Sequence, residues 1–200
     1  MIDWQQASTE LAKKLDPAHV KGRKQGGGMV QFIEGWHAIS EMNRIFGFDA
    51  WTRETLDLPL QPEPREVDGK MRVDYMARVR VSVGDVVREG CGFGQGIDRD
   101  VGQAHESALK EAETDAMKRA MMTFGNPFGL ALYDKARENV GVNAPTADEA
   151  KATLMGCKTL NDLQREYSAL YRSHRAVADD PEVVAAKDVR KEQLQPKEVA

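Results

Sequence analysis

The sequence has few cysteines and no long apolar run, and both absences limit where the protein works. Its only cysteines, Cys91 and Cys157, lie far apart and lack metal-ligand spacing. This favours two reduced thiols over a disulfide or a metal site. No run approaches the ~20 apolar residues of a membrane span, and residues 1–15 lack the apolar core of a signal peptide. We therefore predict a cytoplasmic protein with no membrane partner, associated with the nucleoid if its source is bacterial or a phage.

The sequence also lacks the common motifs of catalytic and cofactor sites. There is no Gly-x-x-x-x-Gly-Lys-Ser/Thr phosphate loop, no serine in a nucleophile elbow, and no zinc-ligand spacing among the scattered histidines. We expect no enzymatic activity, no cofactor and no bound metal. One alternative stays open, a magnesium-dependent nuclease that uses Asp98, Asp100 and Glu106.

The charge is mildly acidic overall, but basic residues occur in clusters. The net charge is −4, so binding to nucleic acid has to depend on local patches. The most informative cluster is Lys118-Arg119, at the end of a long alanine-rich helical pattern, where two fixed cations suit a polyanion. Each cluster is equally typical of a solvated face. The Lys118-Arg119 pair is also typical of a helix C-terminus whose cations complement the helix dipole.

The middle of the chain predicts a sheet packed on a long helix. Apolar and polar residues alternate from Met71 to Val83, which indicates a strand with one buried face. Gly84-Asp85 then predicts a tight turn into a second strand, Val86 to Phe93. The glycines at 90, 92, 94 and 96 indicate a twisted or bulged strand end where a backbone passes close. Alanines at every fourth position mark a helix from Val101 to Phe124, with a small-residue face for close packing.

The N-terminal part predicts helices and further strands. The pattern gives a helix over 3–15, a basic glycine-rich loop over 21–28, a strand over 29–33, and a helix from Trp36 to Phe46 closed by Gly47. A strand over 51–60 is followed by a loop with Pro59, Pro62 and Pro64. The predicted fold class is α+β, an antiparallel sheet (a β-hairpin plus strands) packed on a long helix, with a helical C-terminal tail.

The C-terminal part reads as a separate helical tail. Residues 143–145, Asn-Ala-Pro, predict a boundary between a domain over 1–142 and a tail over 143–200. Thr146 and Glu149 form a capping-box pattern, and Asp180-Pro181 is typical of a helix start. The tail has little apolar content, so we do not expect a strong core of its own.

Read together, these stretches resemble the Rad52-type family of single-strand annealing proteins. About 120 residues match in order, and no single motif decides it. The matching stretches are 15–17 (Leu-Asp-Pro), 26–28 (Gly-Gly-Gly), 32–35 (Phe-Ile-Glu-Gly), 43–48 with Trp51, the strand 73–83, 92–94 (Gly-Phe-Gly), 110–112 (Lys-Glu-Ala), 114–115, 118–120 and 124–126 (Phe-Gly-Asn).

The resemblance implies a ring or curved homo-oligomer that pairs complementary single strands without ATP. It implies that Lys118 and Arg119 line an inner groove for single-stranded DNA, and that Arg99 lies near a second, outer site. The family often has an arginine at the positions of Met122 and His37, so we expect this groove to be less charged or to recruit Arg78, Arg80 or Arg23 instead. The DNA-binding residues that we predict are Lys118, Arg119, Arg99, Arg78, Arg80, Arg23, Lys24 and Lys21.

Annealing requires cations that hold phosphates while the base edges stay free. Trp36, Phe46, Phe48 and Trp51 are therefore expected in the core or at a subunit interface rather than as stacking platforms for every base. The predicted function is ATP-independent binding and annealing of single-stranded DNA in recombination and repair, with a recombinase or a single-strand-binding protein as candidate partners. The alternative is an oligomeric adaptor that binds such a partner through its helical tail and does not anneal DNA.

Overall fold

The computed structural model describes residues 2–59 and 63–195, and the chain divides into two compact units between Val142 and Asn143. The first unit is mixed α and β, and the second is helical. Leu60 and Pro62, which the sequence assigns to a strand end and a loop, lie outside the described residues. Within the described ranges, no helix is both long enough and apolar enough to cross a bilayer.

The first unit confirms the predicted α+β class, with an antiparallel sheet and a long helix on one of its faces. Its elements are α1 (Trp4–Ala12), β1 (Val20–Gln25), β2 (Gly28–Ile33), α2 (Gly35–Phe46), β3 (Trp51–Asp57), β4 (Arg65–Val67), β5 (Lys70–Val83), β6 (Val86–Asp98) and α3 (Val101–Met122). The three-residue strand β4 is one that the sequence pattern does not predict.

β5 is the central strand of the sheet, with β3 and β4 on one side and β6 on the other. As predicted, Val73, Ala77, Val79, Val81 and Val83 are buried. These side chains pack with the buried alanines of α3, since a strand places alternate residues on one face. The intervening residues, Arg78 and Arg80 among them, lie on the opposite face. On that face, which was expected to be exposed, Asp74 is also buried, and it pairs with Arg65 and Arg72.

The glycines of β6 receive the backbone of α3. A Cβ atom at Gly90, Gly92, Gly94 or Gly96 would lie 2.3 Å or less from a main-chain atom of an alanine in α3. The predicted close approach of a backbone is therefore confirmed. The predicted strand end or bulge is wrong, because β6 pairs with β5 in unbroken register from Val86 to Asp98. Glycine is needed here for space.

The basic segment 21–28 is a hairpin and not the predicted loop. Val20–Gln25 pairs with Gly28–Ile33 in antiparallel register. Gly26 and Gly27, at φ 57° and 83°, occupy the two turn positions that require positive φ. Polar residues on both faces hide the strand pattern in the sequence, but the two-glycine turn makes the pairing possible.

The four aromatic residues that we expected in the core or at an interface have different environments. Phe46 is buried, and Trp51 is half-buried, with its Nε1–H donating to Oδ1 of Asn43 at 2.8 Å. Trp36 and Phe48 are 60% and 85% exposed, so neither belongs to the core of this unit.

The second unit contains α4 (Ala147–Gly156), α5 (Leu160–Ser173), α6 (Arg175–Ala178) and α7 (Pro181–Leu194). The capping box of Thr146 and Glu149 and the Asp180-Pro181 helix start are both present. The sequence does not predict a strong core for this unit, and the structure has a small one, made of Ala150, Leu154, Cys157, Leu163 and Val183.

Candidate nucleic-acid interface

Two of the predicted DNA-binding residues meet around the ring of Phe32. Nζ of Lys118 lies 5.5 Å and Cζ of Arg23 lies 5.7 Å from the ring centroid. Lys118 comes from α3 and Arg23 from β1, and Nζ of Lys118 is also 3.5 Å from the carbonyl oxygen of Ile33 at the end of β2. The hairpin therefore reaches α3 at this point, and both cations lie close to the same ring.

The electrostatics of Lys118 favour an anion nearby. Burial lowers the pKa of Lys118 below its ordinary value; the charge of Asp115 opposes this, and the charge of Arg23 adds to it. Among the described residues, no carboxylate lies within ion-pair distance of Lys118, although Arg23 contacts Glu111 at 3.5 Å (Nη1 to Oε1). A phosphate placed between the two cations would offset both the desolvation and the repulsion.

Lys21 lies on the same face of the hairpin. It is the cross-strand partner of Phe32, and Arg23 follows two residues later, so all three side chains share a face. Lys21 is exposed and forms no ion pair within the described part of the chain. We call the set Lys21, Arg23, Phe32 and Lys118 the hairpin–helix surface.

Lys24 and Arg119 are neighbours of this surface with different environments. Lys24 lies on the opposite face of β1, across from Met29. Arg119 is exposed, and its Nε donates to Oδ2 of Asp115 at 3.0 Å, which raises the pKa of the guanidinium. Adjacent residues on a helix point about 100° apart, so Lys118 and Arg119 face different surroundings.

Arg78 and Arg80 are not brought together with Lys118. They lie on the face of the sheet opposite α3, where Arg78 pairs with Asp57 at 3.0 Å and Arg80 pairs with Glu89 at 2.6 Å. Each guanidinium charge is thus largely cancelled by a carboxylate on a neighbouring strand.

Arg99 and the carboxylates proposed for a nuclease lie at the other end of α3. Arg99 is exposed in the turn before the helix, and a helical rise of about 1.5 Å per residue separates that turn from Lys118 by about 26 Å. Asp98 and Asp100 accept backbone N–H groups of the turn and the first helical turn, at 2.9 Å and 3.0 Å, and Glu106 pairs with Lys110. These carboxylates have structural partners, and the described residues contain no group of three metal-ligating side chains.

The two positions at which the family often has arginine differ in their burial. His37 is buried, and its ring stacks on that of His19 at 4.1 Å, so it offers no cation to the surface. Burial and the charge of His19 lower the pKa of His37. Met122 is half-buried at the end of α3.

Phe32 and Glu111 also belong to the candidate site, and the sequence pattern does not single them out. The register of the hairpin would have revealed Phe32, since it lies across from Lys21. Glu111 has no comparable signal, because its contact with Arg23 joins residues that are far apart in the chain.

Comparison with known proteins identifies the family. The family model described as "Rad52/22 family double-strand break repair protein" matches residues 3–151. The DNA repair and recombination protein RAD52 of Kluyveromyces lactis is 41% identical over 130 residues, which are 64% of this chain and 30% of that protein.

Two other yeast proteins match stretches of similar length. Rad22 of Schizosaccharomyces pombe, also named a DNA repair and recombination protein, is 38% identical over 133 residues, covering 64% of this chain and 28% of that protein. RAD52 of Saccharomyces cerevisiae is 38% identical over 130 residues, covering 64% and 27%. The chain thus spans less than a third of the length of these relatives. Because the family model covers well over half of the chain, the protein belongs to the Rad52/22 family of double-strand break repair proteins.

Proposed function

We propose that the protein binds single-stranded DNA along the hairpin–helix surface and pairs complementary strands without ATP, as a ring or curved homo-oligomer, in DNA repair and recombination. The observation that carries the proposal is that Lys118 and Arg23 both lie 5.7 Å or less from the centroid of the Phe32 ring, with Lys118 partly desolvated. The names of the relatives, DNA repair and recombination proteins, support the biological setting.

The mechanism is backbone binding with the pairing edges left free. Cations that contact phosphates release counterions and hold the strand, and they carry no sequence information. A strand held extended needs less reorganisation to meet its complement, which is an effect of proximity and orientation. Duplex stacking of about 1.4 kcal/mol per base-pair step drives the reaction, so no nucleotide is consumed.

The oligomer is supported by an apolar strip on the outer face of the sheet. Met76 and Phe93 are cross-strand partners, and Ile97 lies further along the same face of β6. They are 46%, 50% and 50% exposed. A second copy of the chain is the occupant we propose for this strip, because repetition of the binding surface raises the avidity of an acidic protein with few cations per subunit.

A paired charge-removal experiment tests the binding surface. Arg23→Met with Lys118→Met removes two cations from the hairpin–helix surface, and Arg78→Met with Arg80→Met removes two from the opposite face of the sheet. For a single-stranded oligonucleotide, the first variant should lower the magnitude of the slope of log K against log salt by about 1.4, two contacts at about 0.7 each. The second should leave the slope unchanged. Equal slopes for the first variant and the wild type would refute the assignment. A reduced slope only in the Arg78→Met, Arg80→Met variant would move the site to the outer face of the sheet.

Strand annealing needs its own measurement. Renaturation of dye-labelled complementary oligonucleotides without ATP should be faster with the protein than without it, and light scattering of the same sample should give a mass of several subunits. The adaptor alternative predicts no mobility shift of oligonucleotides at low salt. An open groove on the second unit, lined by Tyr167, Ser168, Tyr171 and Arg172, is where such a partner would bind.

A further inference from the structure

Trp36 is an exposed tryptophan whose ring is nevertheless held in place. It lies in the first turn of α2 and is 60% exposed. Its Nε1–H donates to Oε2 of Glu34 at 3.1 Å. Its ring also meets those of His37 and His19 edge to face, with centroids 5.8 Å and 6.3 Å away. The indole is therefore oriented before any ligand arrives.

The two histidines form a rigid support for this indole. Their rings are stacked at a centroid distance of 4.1 Å and an interplanar angle of 15°. His37 is buried, and burial together with the charge of His19 lowers its pKa. The charge of Glu41 and a hydrogen bond with the backbone of Pro127 raise the pKa of His37, and the charge of Arg44 lowers it. The support is thus a stacked pair of imidazole rings, one of them buried.

Trp36 borders the hairpin–helix surface. Its neighbour Gly35 packs so closely on α3 that a Cβ atom there would be 3.0 Å from Cγ2 of Thr114, one turn before Lys118. His19, beside the indole, immediately precedes β1, which carries Lys21 and Arg23. A strand whose phosphates contact these cations passes within reach of the indole.

We infer that Trp36 stacks on one base of the bound strand in each subunit, an inference that rests on the proposed function. Its exposed ring can meet a base because the polar edge is already satisfied by Glu34. Every base has a π-face, so the contact tolerates any sequence. One anchor per subunit fixes the register of the strand and leaves the other bases free to pair. This differs from stacking of every base, which would oppose annealing.

A substitution series tests the contact. Trp36→Ala should weaken binding of a single-stranded oligonucleotide about 5- to 100-fold, and Trp36→Phe should recover part of the loss. The slope of log K against log salt should not change, because stacking releases no phosphate counterions. On an abasic oligonucleotide of the same length, wild type and Trp36→Ala should bind equally.

Tryptophan emission gives an independent readout. The strand should quench the emission of the wild type and of Trp4→Phe, and the quenching should be lost in Trp36→Phe. If the wild type binds the strand but Trp36→Ala binds equally well and Trp36→Phe keeps the quenching, the inference is overturned and the proposed function stands. A smaller particle mass for Trp36→Ala, with the same loss on abasic and normal strands, would place Trp36 in a subunit contact and overturn the inference. If the wild type binds no strand at low salt, both ideas fail.

Discussion

The substitution Gly92→Ala should strongly destabilise the first unit, because the added methyl group meets helix backbone. A Cβ atom at position 92 would lie 2.2 Å from the main-chain nitrogen of Ala116 and 2.4 Å from the carbonyl oxygen of Ala112. To reach an ordinary contact, α3 and β6 would have to separate by about 1.2 Å, and a gap of that size forfeits about half of the dispersion energy along the interface.

The expected loss of unfolding free energy is at or above the upper end of the range for overpacked cores. Inserting a methyl group into a packed core costs about 1–3 kcal/mol where side chains can move. Here the obstructing atoms are main chain on both sides, so we expect about 3–5 kcal/mol. Ala116→Gly should not rescue the variant, since it removes a methyl group and leaves the obstructing nitrogen in place.

Urea unfolding followed by tryptophan emission measures this cost, because all three tryptophans, at 4, 36 and 51, lie in the first unit. The matched control is Gly22→Ala in β1, where the added atom would meet only the flexible end of Met29, at 3.0 Å. That control should change stability by less than about 1 kcal/mol. If Gly92→Ala also changes the free energy of unfolding by less than about 1 kcal/mol, the tight contact between β6 and α3 is wrong.

Two further substitutions test single interactions. Burial alone would raise the pKa of Glu10, but hydrogen bonds from Lys13 and Arg44 outweigh it and lower that pKa. Such a carboxylate stabilises the fold above its unfolded pKa and loses this effect as the pH falls through the folded value. Glu10→Gln should therefore cost up to about 1 kcal/mol at pH 7 and progressively less as the pH falls below the ordinary pKa of a glutamate, measured by urea unfolding across that pH range; a cost that stays constant with pH would contradict this. Thr146→Ala removes the capping box of α4 and should cost the second unit about 1 kcal/mol in a thermal melt monitored by tyrosine emission; an unchanged melt would show that the cap is not stabilising.

The parts of the fold that the sequence predicts are those with a local repeat. The alternation along β5 and the alanines of α3 each set one face of one element, so their period is sufficient. The glycines of β6 show the limit of this reasoning. Their spacing indicates a close approach, but it does not say which element approaches; that element is α3, the next helix along the chain, and the local pattern alone suggests a bulge.

The candidate site is predicted in part for the same reason. Lys118 stands out because it ends an alanine-rich pattern, yet its environment depends on Phe32 and Arg23, which arrive with the hairpin. Adjacency in the sequence suggests that Lys118 and Arg119 act as a pair, whereas the helical turn directs them to different neighbours. Exposure of Trp36 could not be predicted, because an aromatic residue at helical spacing usually faces inward.

The distribution of the acidic residues explains how a chain of net charge −4 can offer a site to a polyanion. On the outer face of the sheet, Asp57 and Glu89 neutralise Arg78 and Arg80, so that face presents ion pairs. On the hairpin–helix surface, Lys21 and Lys118 have no acidic partner within ion-pair distance among the described residues. Screening limits the reach of distant charges to about 8–10 Å at physiological salt, so a bound phosphate responds to these local cations and very little to the net charge. The sign of the local field is therefore set by which cations are paired.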